Sequence, residues 1–171
     1  MEFKPNVKTD TKTEIIIRPY VETDFVRMEG IHDPARRMEL ELAGMPEAFL
    51  PLSIAAKREG LFDYNIYVAE YAGIAVGFIA FTEDEIAWLY VDINYLHKGI
   101  GSSLLEYALR FTNKDVSIEV LAGNAPAIAL YSNFGFRTVE TLSGKMPGNE
   151  GFSVTVHVMK RSECKDDSMQ R

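Results

Sequence analysis

The sequence predicts one α/β domain built on a mixed β-sheet, and three observations carry that prediction. Strand-like runs crowd together as NIYVAEY, GIAVGFIAF and EIAWLYV. A helical segment then separates EIAWLYV from a further strand, SIEVLA, and a crossover of that kind pairs its two strands in parallel with right-handed geometry. Hairpin-like strand pairs flank this unit, so the other neighbours are antiparallel.

The elements follow in order. EIIIRPY (Glu14–Tyr20) is a β-branched run with Arg18 and Pro19 at its exit, and reads as the first strand. Thr23 and Asp24 are helix-start residues, and the segment from Asp24 to Gly30 reads as a helix. Between His32 and Tyr64, ARRMELELAG and LPLSIAAKREG have helical character, punctuated by Gly44, Pro46 and Gly60. The three crowded strands come next, with Ala72-Gly73 as a tight turn between the first two. Gly99 to Asn113 is predicted helical, with Ile100, Leu104, Ala108 and Phe111 on one apolar face. After SIEVLA (Ser117–Ala122), a second helix from Pro126 to Phe134 stops at Gly135, the glycine expected just past a helix end. FRTVETL and FSVTVHVMK complete a sheet of about six to seven strands.

The 171 residues suit a single domain with a real core, here expected over residues 14–160. Residues 1–13 and 161–171 are polar and unpatterned, and read as a mobile extension and a tail. No apolar run approaches a membrane span, and no signal-peptide core is recognisable, so a cytoplasmic protein is expected. The single cysteine, Cys164, excludes a disulfide framework. His32, His97 and His157 lack ligand spacing, and no metal is expected. A net charge of −7 speaks against nucleic-acid binding.

LHKGIGSSLL places Gly99 and Gly101 at the entrance of a helix, between a strand and an apolar face. Free N–H groups at a helix start, aided by the macrodipole, favour an anion, and glycine lets phosphate oxygens approach. Lys98 adds a cation, and His97 can add a second, proton-dependent one. A dinucleotide fingerprint would need a third glycine at Leu104 and a shorter loop after the strand, and a Walker loop is absent. The alternative is that both glycines serve only close helix–sheet packing.

GNAPAIALYSNFGF adds a second segment: Asn124 at a helix start, small residues, Tyr131 in mid-helix and a Gly-Phe exit. Together the two segments resemble the GCN5-related N-acetyltransferase (GNAT) superfamily, whose members transfer acetyl from acetyl-CoA to amines. The similarity is sharpest from Glu85 to Phe136. It implies a mixed, mostly antiparallel sheet flanked by helices, with a V-shaped acyl-CoA cleft at its centre.

The family's pyrophosphate motif, Q/R-x-x-G-x-G/A, is matched by Leu96-His97-Lys98-Gly99-Ile100-Gly101, with Leu96 in place of the usual polar residue. The resemblance therefore implies pyrophosphate contacts from His97, Lys98, Gly99, Ile100, Gly101 and Ser102. It also implies a bulged EIAWLYV strand, splayed from SIEVLA, whose backbone N–H groups at Leu89, Tyr90 and Val91 meet the thioester and pantetheine arm. Asn124 would bind that arm, and Tyr131 would protonate the departing thiolate. Glu85 and Glu119 are both candidates for the general base, each occupying a position that some relatives use. The acceptor would be an amine on a small molecule, peptide or protein. The acidic residues Glu39, Glu41, Glu83, Asp84 and Glu85 would attract a cationic one. An acyl-CoA-binding module without turnover is the alternative function. The C-terminal strand pair leaves an edge open to a homodimer contact. Arg36, Arg37, Glu39 and Glu41 read most simply as a solvated helix face, Trp88 as core or sheet surface, and Met28, Met38 and Met45 as lining of a substrate cleft or, more simply, core filler.

Overall fold

The computed structural model describes residues 13–161, and the predicted extension and tail lie outside the described residues except for Thr13 and Arg161. Seven strands form one sheet: β1 (Ile15–Pro19), β2 (Asn65–Tyr71), β3 (Ile74–Phe81), β4 (Glu85–Val91), β5 (Ser117–Leu121), β6 (Phe136–Met146) and β7 (Asn149–Arg161). Their spatial order is β1-β2-β3-β4-β5-β7-β6, with β4–β5 as the one parallel pairing among the described residues. Four α-helices cover it: α1 (Phe25–Leu42), α2 (Leu52–Arg58), α3 (Ile100–Ala108) and α4 (Ala125–Asn133).

The β2–β3 turn has φ of 52° at Ala72 and 76° at Gly73, the two left-handed residues of the predicted tight hairpin. On one face of the sheet Ile79, Ile86, Ile118 and Val120 pack against Ile100, Leu104 and Leu105 of α3 and Tyr131 of α4. On the other, Val68, Phe78, Ala80 and Trp88 pack against Met28 and Ile31 of α1 and Leu52 of α2. Gly77 lets α3 lie this close: a Cβ there would stand 3.0 Å from the Tyr90 carbonyl oxygen and 3.1 Å from both Ile100 and Leu104 side chains.

Two helices differ from expectation. The first runs on from Phe25 through Pro34 to Leu42 instead of stopping at Gly30. An internal proline costs about 3 kcal/mol. Fully burying one large apolar side chain returns roughly 1.5–3 kcal/mol, and α1 buries Met28, Ile31 and Leu40 completely. α3 ends at Ala108, short of Asn113, which leaves Phe111 half exposed off the predicted apolar face. The Asn113 N–H donates to the Glu83 carbonyl, so the chain must already have turned back toward the β3–β4 connection.

Candidate active site

The site begins with a departure from regular pairing in β4. Ala80 pairs with Trp88 and Phe81 with Ile86, which leaves Ala87 as an extra residue on β4. A bulge bends its strand and increases its twist. Pairing with β5 is confined to Glu85–Ser117 and Ile86–Ile118, and beyond that point the two parallel strands diverge. The Asp92 N–H donates to the Val76 carbonyl. Alternation along an antiparallel strand therefore turns the Tyr90 N–H toward β3 and those of Leu89 and Val91 toward the gap. Of the three expected backbone donors, Leu89 and Val91 face the opening. Tyr90 lines it with its side chain instead, and this corrects the expectation for its amide.

A cavity of about 230 Å³ fills the gap, walled by Trp88, Leu89, Tyr90 and Val91 on β4, Glu119 on β5, Asn124, Leu130 and Tyr131 at α4, and Glu39 on α1. A second cavity of about 150 Å³ continues it on the α1 face, sharing Trp88, Tyr90, Glu39 and Glu119 and adding Arg36, Glu59, Met146 and Val154. Tyr131 is buried, and burial first, then the Glu39 charge, raises its phenol well above the ordinary tyrosine value. It therefore stays protonated at neutral pH and keeps a proton to donate.

Glu119 borders both cavities, and no hydrogen bond or ion pair engages its carboxylate among the described residues. Glu85 borders neither. It sits where β4 and β5 are still paired, and accepts a 3.1 Å hydrogen bond from the Tyr64 hydroxyl. Glu83 and Asp84 lie in the exposed β3–β4 connection.

At the α3 entrance the left-handed residues are His97, at φ 62°, and Gly99, at φ 80°. An added Cβ at Gly99 would meet nothing within 4 Å, so close packing does not require glycine there, whereas its backbone conformation favours it. Gly101 is the packing glycine of the two: its Cβ would lie 3.4 Å from Leu130 and 3.6 Å from Val91, between α3 and α4. The N–H groups of Ile100, Gly101 and Ser102 have no acceptor one turn back, as in any helix start, while that of Ser103 returns to Gly99. The loop is held from below by Asp92, which accepts from the Asn94 N–H and pairs with Arg27 of α1. His97 and Lys98 are exposed at this end, with the Lys98 ammonium 5.6 Å from the Tyr71 ring centroid. Leu96 lines the first cavity.

The polar residues of α1 are not a uniformly solvated face. Arg37 is exposed over the Phe49 ring, but Arg36 and Glu39 turn into the cleft as a 2.7 Å ion pair with side chains 16% and 18% exposed. Glu39 also accepts from the Tyr90 hydroxyl and from Asn124 Nδ2. These partners lie 51 and 85 residues away in sequence, so the Arg36–Glu39 spacing was the only local sign of its placement. Met38 lines the first cavity, the other of its two readings. Trp88 is buried in the core, as one of the two readings had it. No group of three or more metal-ligating side chains occurs among the described residues. No helix among them is long and apolar enough to cross a membrane.

Comparison with known proteins finds likenesses in both sequence and fold. Residues 62–138 match the family model described as an acetyltransferase (GNAT) domain. An N-alpha-acetyltransferase from Sulfolobus acidocaldarius is 23% identical over 141 residues, spanning 68% of this chain and 82% of that one. The fold is shared with a GCN5-related N-acetyltransferase from Rhodopseudomonas palustris (TM-score 0.72, 18% identity, 86% of this chain and 94% of that one). It is also shared with the PaiA N-acetyltransferase from Thermoplasma acidophilum in complex with coenzyme A (TM-score 0.63, 17% identity, 87% and 99%).

Proposed function

We propose that this protein transfers acetyl from acetyl-CoA to a primary amine by direct attack within a ternary complex. The observation that carries the reading is the stretch of β4 beyond Ala87, unpaired on its β5 side and open to a cavity that also holds Tyr131 and Glu119. The coenzyme A bound by the Thermoplasma relative supports the same assignment.

In this reading the pyrophosphate lies on the first turn of α3, against the N–H groups of Gly99, Ile100, Gly101 and Ser102, with Lys98 supplying charge and the His97 ring beside it. The pantetheine arm passes through the gap along Leu89 and Val91 and meets Asn124. The neutral amine nitrogen attacks the thioester carbonyl carbon, and the C=O pair moves onto oxygen, where a β4 amide stabilises it. The C–S bond then breaks, and the departing thiolate takes the Tyr131 proton.

Glu119 accepts the proton that the amine loses, directly or through a water. Its free carboxylate at the junction of the two cavities favours it over Glu85, which is occupied by Tyr64 and lies outside both. The amine enters from the α1 face, through the second cavity.

The test is thermal stability with acetyl-CoA, CoA, NAD and ATP in parallel. A ligand at 100 times its dissociation constant adds about 2.7 kcal/mol. Stabilisation by the two CoA compounds alone supports the reading, and amines can then be screened for CoA release. Absence of that shift refutes it.

A further inference from the structure

Glu39 joins both walls of the cleft. Its Oε2 accepts from Arg36 Nη1 at 2.7 Å and from the Tyr90 hydroxyl of β4 at 3.2 Å, and its Oε1 accepts from Asn124 Nδ2 at 3.3 Å. One α1 side chain thus ties the diverging edge of β4 to the start of α4. It stands between the two cavities and borders each.

Its effect on Asn124 is specific. The Asn124 side-chain oxygen accepts from the Ala127 N–H at 3.3 Å, capping α4, while its nitrogen donates to Glu39. A flipped amide would set oxygen against carboxylate and NH₂ against N–H, so the two contacts together fix one orientation. With the oxygen and one amide hydrogen committed, the second hydrogen is left for a ligand in the cavity that Asn124 lines. We infer that Glu39 is a positioning residue for acyl-donor binding: it holds the Asn124 amide with its remaining N–H directed at the pantetheine arm. This rests on the acyl-CoA reading given above and extends it to a residue outside the family motif.

The sign of the effect separates positioning from simple charge. Coenzyme A is polyanionic, so removing a nearby carboxylate charge would by itself tighten binding. Loss of positioning weakens it. In Glu39→Gln the amide oxygen can keep Arg36 and Tyr90, but an NH₂ then faces the Asn124 NH₂. Calorimetric titration of CoA into Glu39→Gln is expected to show binding weakened about three- to tenfold, the range of one ordinary hydrogen bond to the ligand. Glu39→Asp keeps the charge and withdraws the oxygen, and is expected to weaken CoA similarly. It also serves if the glutamine variant folds poorly. In an Asn124→Ala background neither change at Glu39 should matter further, because the group being positioned is gone. CoA binding that is unchanged or tighter in both Glu39 variants overturns the inference and leaves the acyl-CoA reading intact, as does an undiminished Glu39 effect without Asn124. A wild-type protein that fails to bind CoA overturns both.

Discussion

Ile86 and Leu89 face the same side of the sheet, packed with α3, although residues three apart on a regular strand face opposite sides. The extra residue, Ala87, accounts for this, and it leads to an unusual expectation. Deleting Ala87 would restore regular pairing with β3 while leaving every other β4 side chain on its present face. The deletion variant should fold, with β4 straightened toward β5, and lose most of its thermal stabilisation by CoA. A variant that folds and retains the full stabilisation would detach the bulge from ligand binding.

Tyr131→Phe removes the hydroxyl and keeps the ring. General acid catalysis contributes typically 10²–10⁴-fold, so kcat for CoA release should fall at least about a hundredfold with CoA affinity preserved. A binding module would show intact affinity and negligible turnover in both proteins. Steady-state thiol release together with a CoA titration tells these apart.

The two candidate bases are separable by paired substitutions. Glu119→Gln should lower kcat by a factor in the same general acid–base range, about 10²-fold or more. Glu85→Gln, which perturbs only the contact with Tyr64, should stay within a few-fold of wild type. The reverse ranking would return the role to Glu85.

Gly77 should tolerate no side chain. The Cβ of Gly77→Ala would lie 3.0 Å from a backbone oxygen that cannot rotate away, and overpacking of this kind costs about 1–3 kcal/mol. For a domain of this size each kcal/mol lowers Tm by roughly 2–4 °C, which scanning calorimetry resolves. Gly101→Ala, with looser contacts of 3.4 and 3.6 Å, should cost less.

His32 makes stability sensitive to acid. It is buried edge-on against Tyr90 at 4.7 Å, and burial lowers its pKa despite the opposing hydrogen bond to the Asp33 carboxylate. The unfolded chain, with a histidine pKa of about 6.5, then binds more protons than the folded one, so stability falls as pH drops below that value. Glu59 carries the opposite sign: burial raises its carboxyl pKa, so it favours folding at lower pH. Comparing urea midpoints of wild type and His32→Asn at pH 7.5 and 5.5 cancels the Glu59 contribution. The variant should lose less stability over that interval, and equal losses would exclude His32 as the cause.

The parts of the fold legible in the sequence were those with local causes. Alternation marked β2 to β4, Ala72-Gly73 marked a turn that needs two positive φ angles, and Asn124 and Gly135 marked the two ends of α4. The length of α1 was hidden because Gly30 and Pro34 are local breakers, outweighed by burial against a sheet formed much later in the chain. The bulge left no trace either, since EIAWLYV reads as an ordinary apolar strand and only the register against β3 reveals Ala87. Register also decides that the Tyr90 amide turns away from the gap. Glu39 was obscured for a related reason: its helical neighbours resemble a solvated face, and its partners become neighbours only on folding.

The β6–β7 hairpin outruns the sheet. β5 reaches β7 only from Val156 to Lys160, so residues 143–155 form a projecting ribbon whose Met146 packs on Leu40 and Ala48 of the α1 side. The ribbon and α1 supply Met146, Val154 and Arg36, which the second cavity has and the first lacks, whereas most of the first belongs to the middle of the chain. In the proposed function the acyl donor is therefore served by a contiguous central block, and the acceptor by the two sequence extremes folded against each other. Selection can then remodel the extremes and exchange one amine for another, while the block that handles the thioester stays under its own separate constraint.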